Sequence, residues 1–335
     1  MRTITVYSHG VTMGTAPMNN SHKRAPRGEV CGWTPSATRR NVAFLRSVIE
    51  RKLPTTEDAQ PLKAFAVTLT LKTCPETPED WHATRDAFMK RMRRAGLYRS
   101  HWVVEWQRRG VPHLHCALWF EGDMQPAQIV RAWCDVAEPY EAGQQSQYVL
   151  PIFDAVGWFK YMAKHAARGV KHYQRSNENK PEQWGSKTGR VWGHTGDWPL
   201  IEGQPIKCND RSFFMARRMA KNWRIAEARA ELQHNLNNVP AVPIGLDPSR
   251  ITWADGKTRP NGLSERERGR LAGTWRLRAA RGLLKCNDRV RSELRGVSEW
   301  ISAGLMLTMI ECTLANGGEL LLPDPDHDTT SGRPG

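Results

Sequence analysis

Two neighbouring stretches near the middle of the chain are rich in the apolar residues that favour β-strands. They read HWVVEWQ (101–107) and VPHLHCALWF (111–120), and the turn-forming triplet Arg-Arg-Gly (108–110) separates them. This pattern predicts an antiparallel hairpin. If the triplet closes the hairpin, position 105 lies opposite position 113, and the two side chains project from the same face.

The hydrophobic pattern from about 60 to 200 alternates between strand and helix. Further predicted strands are AFAVTLTLK (64–72), QYVLPIF (147–153) and GRVWGHTG (189–196). The predicted helices are 78–96, 126–140 and 156–174. Hairpins with helices between them predict an α+β fold in which helices cover an antiparallel sheet. We therefore expect a core domain over residues 59–205, which is long enough to bury a stable core.

The two ends of the chain differ from this core in composition. Residues 1–58 mix Gly, Pro, Ser and Arg around a short helical stretch at 41–53, which is typical of a mobile basic arm. Residues 323–335 are polar and Pro-rich, and we expect them to be disordered.

Residues 206–322 are expected to form a helical basic accessory region. A basic helix is predicted over 211–233, and apolar residues recur at helical spacing from Val290 to Leu305. Either this region binds DNA or mediates oligomerisation, or its apolar stripe packs on the core and its basic face is merely solvated. The sequence leaves both interpretations open.

Basic residues outnumber acidic ones, with 49 Lys and Arg against 34 Asp and Glu, a net charge of +15 and an isoelectric point near 9.8. Such a balance suits a phosphate-rich partner, because each neutralised phosphate releases condensed counterions. The 14 tryptophans are numerous enough that an exposed subset could stack unpaired bases. Composition therefore indicates a nucleic-acid partner, although net charge identifies no fold.

The seven cysteines are scattered singly and form no Cys-x-x-Cys pair, which favours free thiols in a reducing compartment. No apolar run approaches the ~20 residues that span a bilayer. Residues 1–20 also lack the continuous apolar core of a secretory leader. We therefore expect a cytoplasmic protein without a membrane partner.

His113 and His115 stand two residues apart in an apolar strand, so both imidazoles lie on one face, roughly 7 Å apart along the strand. The hairpin adds Glu105 to the same face. Two histidines and a carboxylate leave coordination positions open, as in a catalytic rather than a structural metal site. The alternative is that the histidines are ordinary core residues.

Tyr161 and Lys164 are neighbours on one face of the predicted helix 156–174, because they are three residues apart. A tyrosine hydroxyl is a weak nucleophile at its usual pKa near 10, and a nearby cation or metal ion would activate it. The alternative is that Tyr161 packs the helix onto the sheet together with Trp158 and Phe159.

Four segments in this order resemble the HUH endonucleases, and more closely the rolling-circle replication initiators of plasmids and single-stranded DNA phages. The matching segments are the strand 64–72, EWQRRGVPHLHCALWF (105–120), YMAK (161–164) and GRVWGHTG (189–196). The resemblance covers roughly residues 60 to 200.

This resemblance implies an RRM-like core in which Glu105, His113 and His115 bind Mg²⁺ or Mn²⁺. It also implies that Tyr161 attacks the scissile phosphate and forms a 5′-phosphotyrosine, with Lys164 near the developing charge. The tyrosine follows the histidines, which disfavours a conjugative relaxase. His165 stands where two-tyrosine initiators have their second tyrosine, so a single-tyrosine enzyme is implied.

The function implied is metal-dependent nicking and rejoining of single-stranded DNA at a replication origin. Expected partners are single-stranded DNA, the origin duplex, a host helicase and a host polymerase. Two alternatives remain open from the sequence: a single-strand DNA transposase with the same chemistry, and a noncatalytic RRM-like nucleic-acid-binding protein or repressor.

Overall fold

The structure is a computed structural model, and it describes residues 2–15, 32–168, 174–185, 187–237 and 297–321. The chain divides into two compact units. The central unit comprises Tyr7–His9 and Ser21–Gly203, and the flanking unit comprises Met1–Val6, Gly10–Asn20 and Gln204–Gly335.

The described ranges contain both strands and helices. The strands are β1 (Arg2–Tyr7), β2 (Gly10–Thr15), β3 (Leu62–Thr70), β4 (Leu97–Trp106), β5 (Pro112–Glu121), β6 (Tyr148–Pro151), β7 (Trp192–Thr195), β8 (Gln204–Cys208), β9 (Val297–Trp300) and β10 (Glu319–Leu320). The helices are α1 (Pro35–Ser47), α2 (Pro78–Arg94), α3 (Pro126–Val136), α4 (Ala155–Arg168), α5 (Asp210–Asn237) and α6 (Met306–Ala315).

The central unit is built on a five-stranded sheet with the order β6-β3-β5-β4-β7, and its paired strands run antiparallel. The predicted α+β fold with an antiparallel sheet is therefore confirmed. The predicted helices 78–96, 126–140 and 156–174 correspond to α2, α3 and α4, although α3 ends at Val136 and a short 3-10 turn follows it.

The hairpin of β4 and β5 has the predicted register. Glu105 pairs with His113 and Val103 pairs with His115. The backbone N–H of Gly110 donates to the carbonyl of Gln107, and Gly110 takes a φ of +73°, a conformation that glycine adopts without strain. The turn therefore fixes the register on which the shared face depends.

Helices cover both faces of the central sheet. On one face, Arg85 of α2 stacks on Trp102 with its guanidinium 4.3 Å from the ring centroid. On the other face, Phe44 of α1 stacks on His101, with ring centroids 5.6 Å apart. Because adjacent strand residues point to opposite faces, α1 and α2 lie on opposite sides of the sheet. We call the side that carries His101, His113 and His115 the histidine face.

Residues 1–58 differ from the expected mobile arm wherever they are described. Apolar and polar residues alternate in β1, and Ile4 and Val6 are buried in the flanking unit. In the central unit, α1 begins after Thr34, whose side chain accepts from the Ala37 backbone N–H as an N-cap. Burial of apolar side chains in both places offsets the entropy cost of ordering the segment.

The flanking unit contains a second antiparallel sheet, with the order β10-β8-β1-β2-β9. Helices α5 and α6 contribute the buried side chains Phe213, Ala216 and Met309 to its core, which also includes Ile4 and Ile206. The predicted basic helix 211–233 is confirmed by α5.

One prediction for this region is wrong. The apolar residues near 300 were expected to continue a helix from Val290 to Leu305, but Val297–Trp300 is a strand that pairs with β2. The helix α6 begins only at Met306. Residues 238–296 and 322–335, with the tail that was expected to be disordered, lie outside the described residues. In the ranges that are described, no helix combines the length and apolar character of a membrane span.

Candidate active site

The central sheet brings Glu105, His113 and His115 together on the histidine face, and we call these three residues the triad. The Nε2 atoms of the two histidines lie 2.7 Å apart. Oε2 of Glu105 lies 3.4 Å from Nε2 of His115. One ligand atom from each residue falls within 4.8 Å of the others, so all three could contact a single ion.

Thr68 of β3 orients one of these imidazoles. It pairs with His115 in the sheet, and its Oγ1 lies 2.9 Å from Nδ1 of His115. Metal-binding histidines usually have their second ring nitrogen occupied in this way. The contact was missed from the sequence, because the hairpin alone does not show which strand lies on the other side of β5.

Arg175 is the second residue that the sequence did not indicate. It is fully buried, and its Nε donates to Oε1 of Glu105 at 2.9 Å. Burial lowers the pKa of the guanidinium, while the carboxylate of Glu105 opposes that shift. Arginine remains protonated in proteins, so the buried carboxylate has a permanent positive partner.

Helix α4 places Tyr161 beside the triad. Its neighbours Phe159, Met162 and Ala163 are buried, so they anchor the helix on the sheet. Tyr161 itself is 39% exposed. Its ring centroid lies 6.0 Å from that of His115. A partly exposed tyrosine next to a candidate metal site is accessible to a nucleic-acid strand.

Both interpretations of Tyr161 are partly visible in this geometry. Its ring stacks on Trp158, with centroids 5.2 Å apart and an interplanar angle of 23°, so the residue does contribute to packing. The stacking supports the ring without burying it. Packing and reactivity are therefore compatible at this position.

The other candidates occupy different places. Lys164 belongs to α4, one turn after Tyr161, but its side chain is not among those described, and Tyr173 also lies outside the described residues. Tyr148 lies on the edge strand β6, separated from His115 by β3. Tyr140 is the last residue of a 3-10 turn, and its backbone carbonyl accepts from the backbone N–H of Lys72.

The donor set of the triad fits a divalent ion. Imidazole nitrogen and carboxylate oxygen are both ligands that Mn²⁺ accepts, and a carboxylate also suits Mg²⁺. Glu105 is fully buried and His115 nearly so, while His113 is half-buried. His113 is thus the triad residue that is most open to solvent.

Comparisons with known proteins place the chain among replication-associated proteins. The family model of the replication-associated protein ORF2 matches residues 64–166, which include the triad and Tyr161. A replication-associated protein of Pseudomonas phage Pf3 is 52% identical over 236 residues, covering 69% of this chain and 82% of the phage protein. The chain belongs to this replication-associated protein family.

Two further relatives extend the similarity over most of the chain. A putative replication protein of Xylella fastidiosa strain Temecula1 is 43% identical over 307 residues, or 90% of this chain and 99% of the relative. Another from strain 9a5c is 42% identical over 314 residues, or 92% and 94%. The similarity to these relatives therefore extends into the flanking unit. No solved structure matches the chain.

Proposed function

We propose that this chain is a rolling-circle replication initiator that nicks and rejoins single-stranded DNA through a 5′-phosphotyrosine intermediate. The observation that carries the proposal is the position of the partly exposed Tyr161, whose ring lies 6.0 Å from that of His115 in the triad. Membership of a replication-associated family supports the same role.

In this proposal Glu105, His113 and His115 hold Mg²⁺ or Mn²⁺, which when bound polarises the scissile phosphate as a Lewis acid. The hydroxyl oxygen of Tyr161 attacks phosphorus, and the bond from phosphorus to the 3′ oxygen breaks. The tyrosine proton passes to solvent, and the departing 3′ oxygen takes up a proton. The products are a phosphotyrosine diester at the 5′ end and a free 3′-hydroxyl.

These products explain both halves of the reaction. The free 3′-hydroxyl can prime DNA synthesis, and attack of a 3′-hydroxyl on the phosphotyrosine rejoins the strand. The covalent link conserves the energy of the broken phosphodiester, so rejoining needs no nucleotide cofactor. Lys164, one helical turn from Tyr161, would stabilise negative charge that develops on the phosphate.

The partners in this proposal are single-stranded DNA and the origin duplex. The net charge of +15 favours phosphate binding. A host helicase would open the duplex and a host polymerase would extend the 3′-hydroxyl. Both would act on DNA at which this chain remains covalently attached.

Tyr161→Phe tests the nucleophile directly. The purified full chain is incubated with Mn²⁺ and single-stranded fragments tiling the intergenic DNA of its own replicon, and covalent adducts are separated by denaturing electrophoresis. We expect the adduct to disappear in Tyr161→Phe, because only the hydroxyl is lost and no cavity opens. Metal binding should be unchanged.

Tyr140→Phe is the matched control, since it removes a hydroxyl from another half-buried tyrosine of the same unit and should still form the adduct. Mass spectrometry of the digested wild-type adduct should place the phosphate on Tyr161. A phosphate on Tyr173 or another residue would refute this active site. Metal-dependent binding without any cleavage would favour a noncatalytic nucleic-acid-binding protein.

A further inference from the structure

Arg175 makes three contacts from its buried position in the central unit. Besides its ion pair with Glu105, a terminal nitrogen donates to the carbonyl of Met162 at 3.0 Å. The guanidinium carbon lies 3.9 Å from the ring centroid of Trp33. A single cation is therefore shared by a triad residue, by the helix that carries Tyr161 and by a tryptophan from the N-terminal part of the unit.

We infer that Arg175 is a positioning residue that fixes the geometry between the metal ligands and the nucleophile. The inference rests on the proposed function, because it takes the triad and Tyr161 to act on the same phosphate. Arg175 acts through Glu105 and through the backbone of Met162.

The ion pair determines which oxygen of Glu105 faces the histidines. Oε1 accepts from Arg175, and Oε2 lies 3.4 Å from Nε2 of His115. Rotation of the carboxylate would break a buried, charge-assisted hydrogen bond. Partners of this kind commonly change metal affinity or activity by about 10- to 100-fold when they are removed.

The hydrogen bond to Met162 fixes the position of the nucleophile relative to the same carboxylate. Met162 directly follows Tyr161 on α4, so its carbonyl is one peptide away from the tyrosine backbone. The donors of a guanidinium lie in one rigid plane, and Trp33 stacks against that plane. A displacement of α4 would therefore either break this bond or disturb Glu105, and a misplacement of about 1 Å can cost roughly 100-fold in rate.

Arg175→Met and Arg175→Lys separate the two effects in the full chain. Mn²⁺ affinity is measured by electron paramagnetic resonance without DNA, and the single-turnover rate of adduct formation is measured at saturating Mn²⁺. Methionine removes the cation, so we expect both quantities to fall by about 10- to 100-fold. Lysine keeps the charge but lacks the fork for both contacts, so Mn²⁺ affinity should stay within about threefold while the rate remains at least about tenfold lower.

Arg85→Met is the matched control. Like Arg175, Arg85 is buried and stacks on a tryptophan, here Trp102 of β4, but it lies on the opposite face of the sheet. Its loss should lower the melting temperature and change neither the Mn²⁺ affinity nor the rate of adduct formation. A folded Arg175→Lys chain with a wild-type rate at saturating Mn²⁺ would overturn the inference. If the wild-type chain forms no adduct, the proposed function is wrong whatever Arg175 does. In that case, unchanged Mn²⁺ affinity in Arg175→Met would refute the positioning role.

A different observation concerns the edge strand β6. Tyr148 is 61% exposed and Leu150 is 46% exposed, and the register places both on the histidine face. Tyr148 pairs with Thr68, which pairs with His115. Two strand spacings, about 10 Å, therefore separate Tyr148 from a triad residue, a distance that a nucleotide or two can cover.

The surface between them is lined by small side chains. On the histidine face beside Tyr148, β3 presents Thr68 and Ala66, both half-buried, so no large side chain of β3 stands next to Tyr148 and a flat base can lie there. We propose that Tyr148 stacks an unpaired base of the DNA strand being cleaved, beside the scissile phosphate. This proposal also rests on the proposed function, and its occupant is single-stranded DNA.

Fluorescence anisotropy with an oligothymidine tests the stacking in the full chain, over a series of salt concentrations. We expect Tyr148→Ala to weaken binding by about 5- to 100-fold, because the stacking on one base is lost. The salt slope should not change, because all phosphate contacts are kept. Tyr148→Phe should bind like wild type, and so should Leu307→Ala, which removes an exposed apolar side chain from the flanking unit.

Unchanged affinity in Tyr148→Ala, or a loss accompanied by a shallower salt slope, would overturn the stacking proposal. Because this measurement needs no cleavage, it is independent of whether Tyr161 forms an adduct. A wild-type chain that binds the oligothymidine through Tyr148 but never forms an adduct would contradict the proposed function and retain the binding surface.

Discussion

At the scale of single residues, His115 has each ring nitrogen assigned to a different partner. Nδ1 lies 2.9 Å from the hydroxyl of Thr68, and Nε2 faces His113 and Glu105. If Nδ1–H donates to the Thr68 oxygen, the lone pair on Nε2 is directed toward the other triad residues. The Thr68 contact is thus compatible with the tautomer that metal binding requires.

Loss of either histidine should separate cleavage from binding. We expect His113→Ala and His115→Ala to abolish Mn²⁺-dependent adduct formation and to leave single-stranded DNA affinity within a few-fold, because phosphate contacts elsewhere supply most of the affinity. Adduct assays and anisotropy on the same preparations check this. Full cleavage in both variants would show that the triad is not the metal site.

A third histidine on the same face should make stability depend on pH. His101 is fully buried, its Nε2 lies 2.7 Å from Oδ1 of Asn41, and burial, with smaller contributions from His194 and Arg175, lowers its pKa to about 3. The unfolded chain binds this proton near pH 6.5, whereas the folded chain does not. Stability is therefore fully present above pH 6.5 and falls by up to ~1.4 kcal/mol per pH unit as the pH decreases toward 3.

The measurement is the free energy of unfolding between pH 7 and pH 5 in wild type and in His101→Gln. Glutamine can still donate to Asn41 but does not titrate, so its curve should be flatter by about one proton. Packing against Phe44 will be poorer in the variant at every pH, so the comparison is between slopes. If the free energy of unfolding depends on pH equally in the two proteins, His101 is not the group that causes the dependence.

At the scale of elements, the three glycines of the GRVWGHTG segment are explained by close approach. A Cβ at Gly193 would lie 2.6 Å from the Trp102 ring, and one at Gly189 would collide with His82. Gly196 has a φ of +77°, and a Cβ there would collide with the carbonyl oxygen of Tyr98. The strand β7 can therefore lie against β4 only when side chains are absent at Gly193 and Gly196, and Gly189 lets the preceding segment approach α2.

Gly196→Ala should destabilise the chain by about 3 kcal/mol, from the strained backbone and the collision together. Gly122→Ala is the control, because Gly122 has a similar φ of +74° with nothing within 4 Å of its Cβ position, and it should cost only about 1–2 kcal/mol. Denaturant unfolding of both variants gives the comparison. Equal losses would mean that β7 shifts to relieve the contact.

The elements predicted correctly from the sequence were those with local signals. Alternating apolar residues and a three-residue turn specify the β4–β5 hairpin, and that pairing alone brings Glu105 toward the two histidines. Arg175 has no such signal, since it is a single arginine whose ion pair joins residues 70 positions apart. Function at the triad and at Tyr161 remains a prediction that only chemistry can test.

Strands β1 and β2 were missed for a different reason. Ile4 and Val6 alternate with threonines, which is a strand pattern, but the surrounding residues are rich in Gly, Pro and Arg. In the sheet β1 lies between β2 and β8, and β8 follows about 200 residues later. Pairing over such a separation has no signature in a local window.

At the scale of the whole molecule, the two units are interleaved along the sequence. The flanking sheet takes β1 and β2 from one end of the chain and β8, β9 and β10 from the other. A truncation near residue 205 would therefore cut β8, the strand that pairs with β1. Whether α5 binds DNA therefore has to be tested with charge substitutions in the full chain.

Ile4→Ala should unfold the flanking unit selectively. Ile4 is fully buried beside Ile206 and Met309, and such a truncation costs about 2–5 kcal/mol. Hydrogen exchange should show lost protection in α6 and β8, far away in sequence, and retained protection in β4 and β5. Thr5→Ala, on the other face of β1 and only half-buried, should change little; uniform loss across both units would contradict independent folding.

The distance in sequence between β1 and β8 also sets an order of events during synthesis. A ribosome adds about 5–20 residues per second, so the roughly 190 residues from Thr15 to Gln204 take on the order of 10–40 s. During that interval β1 and β2 have been made but β8 has not, and a two-stranded hairpin alone is marginally stable. Strands β1 and β2 therefore leave the ribosome well before the sheet that they join can be completed.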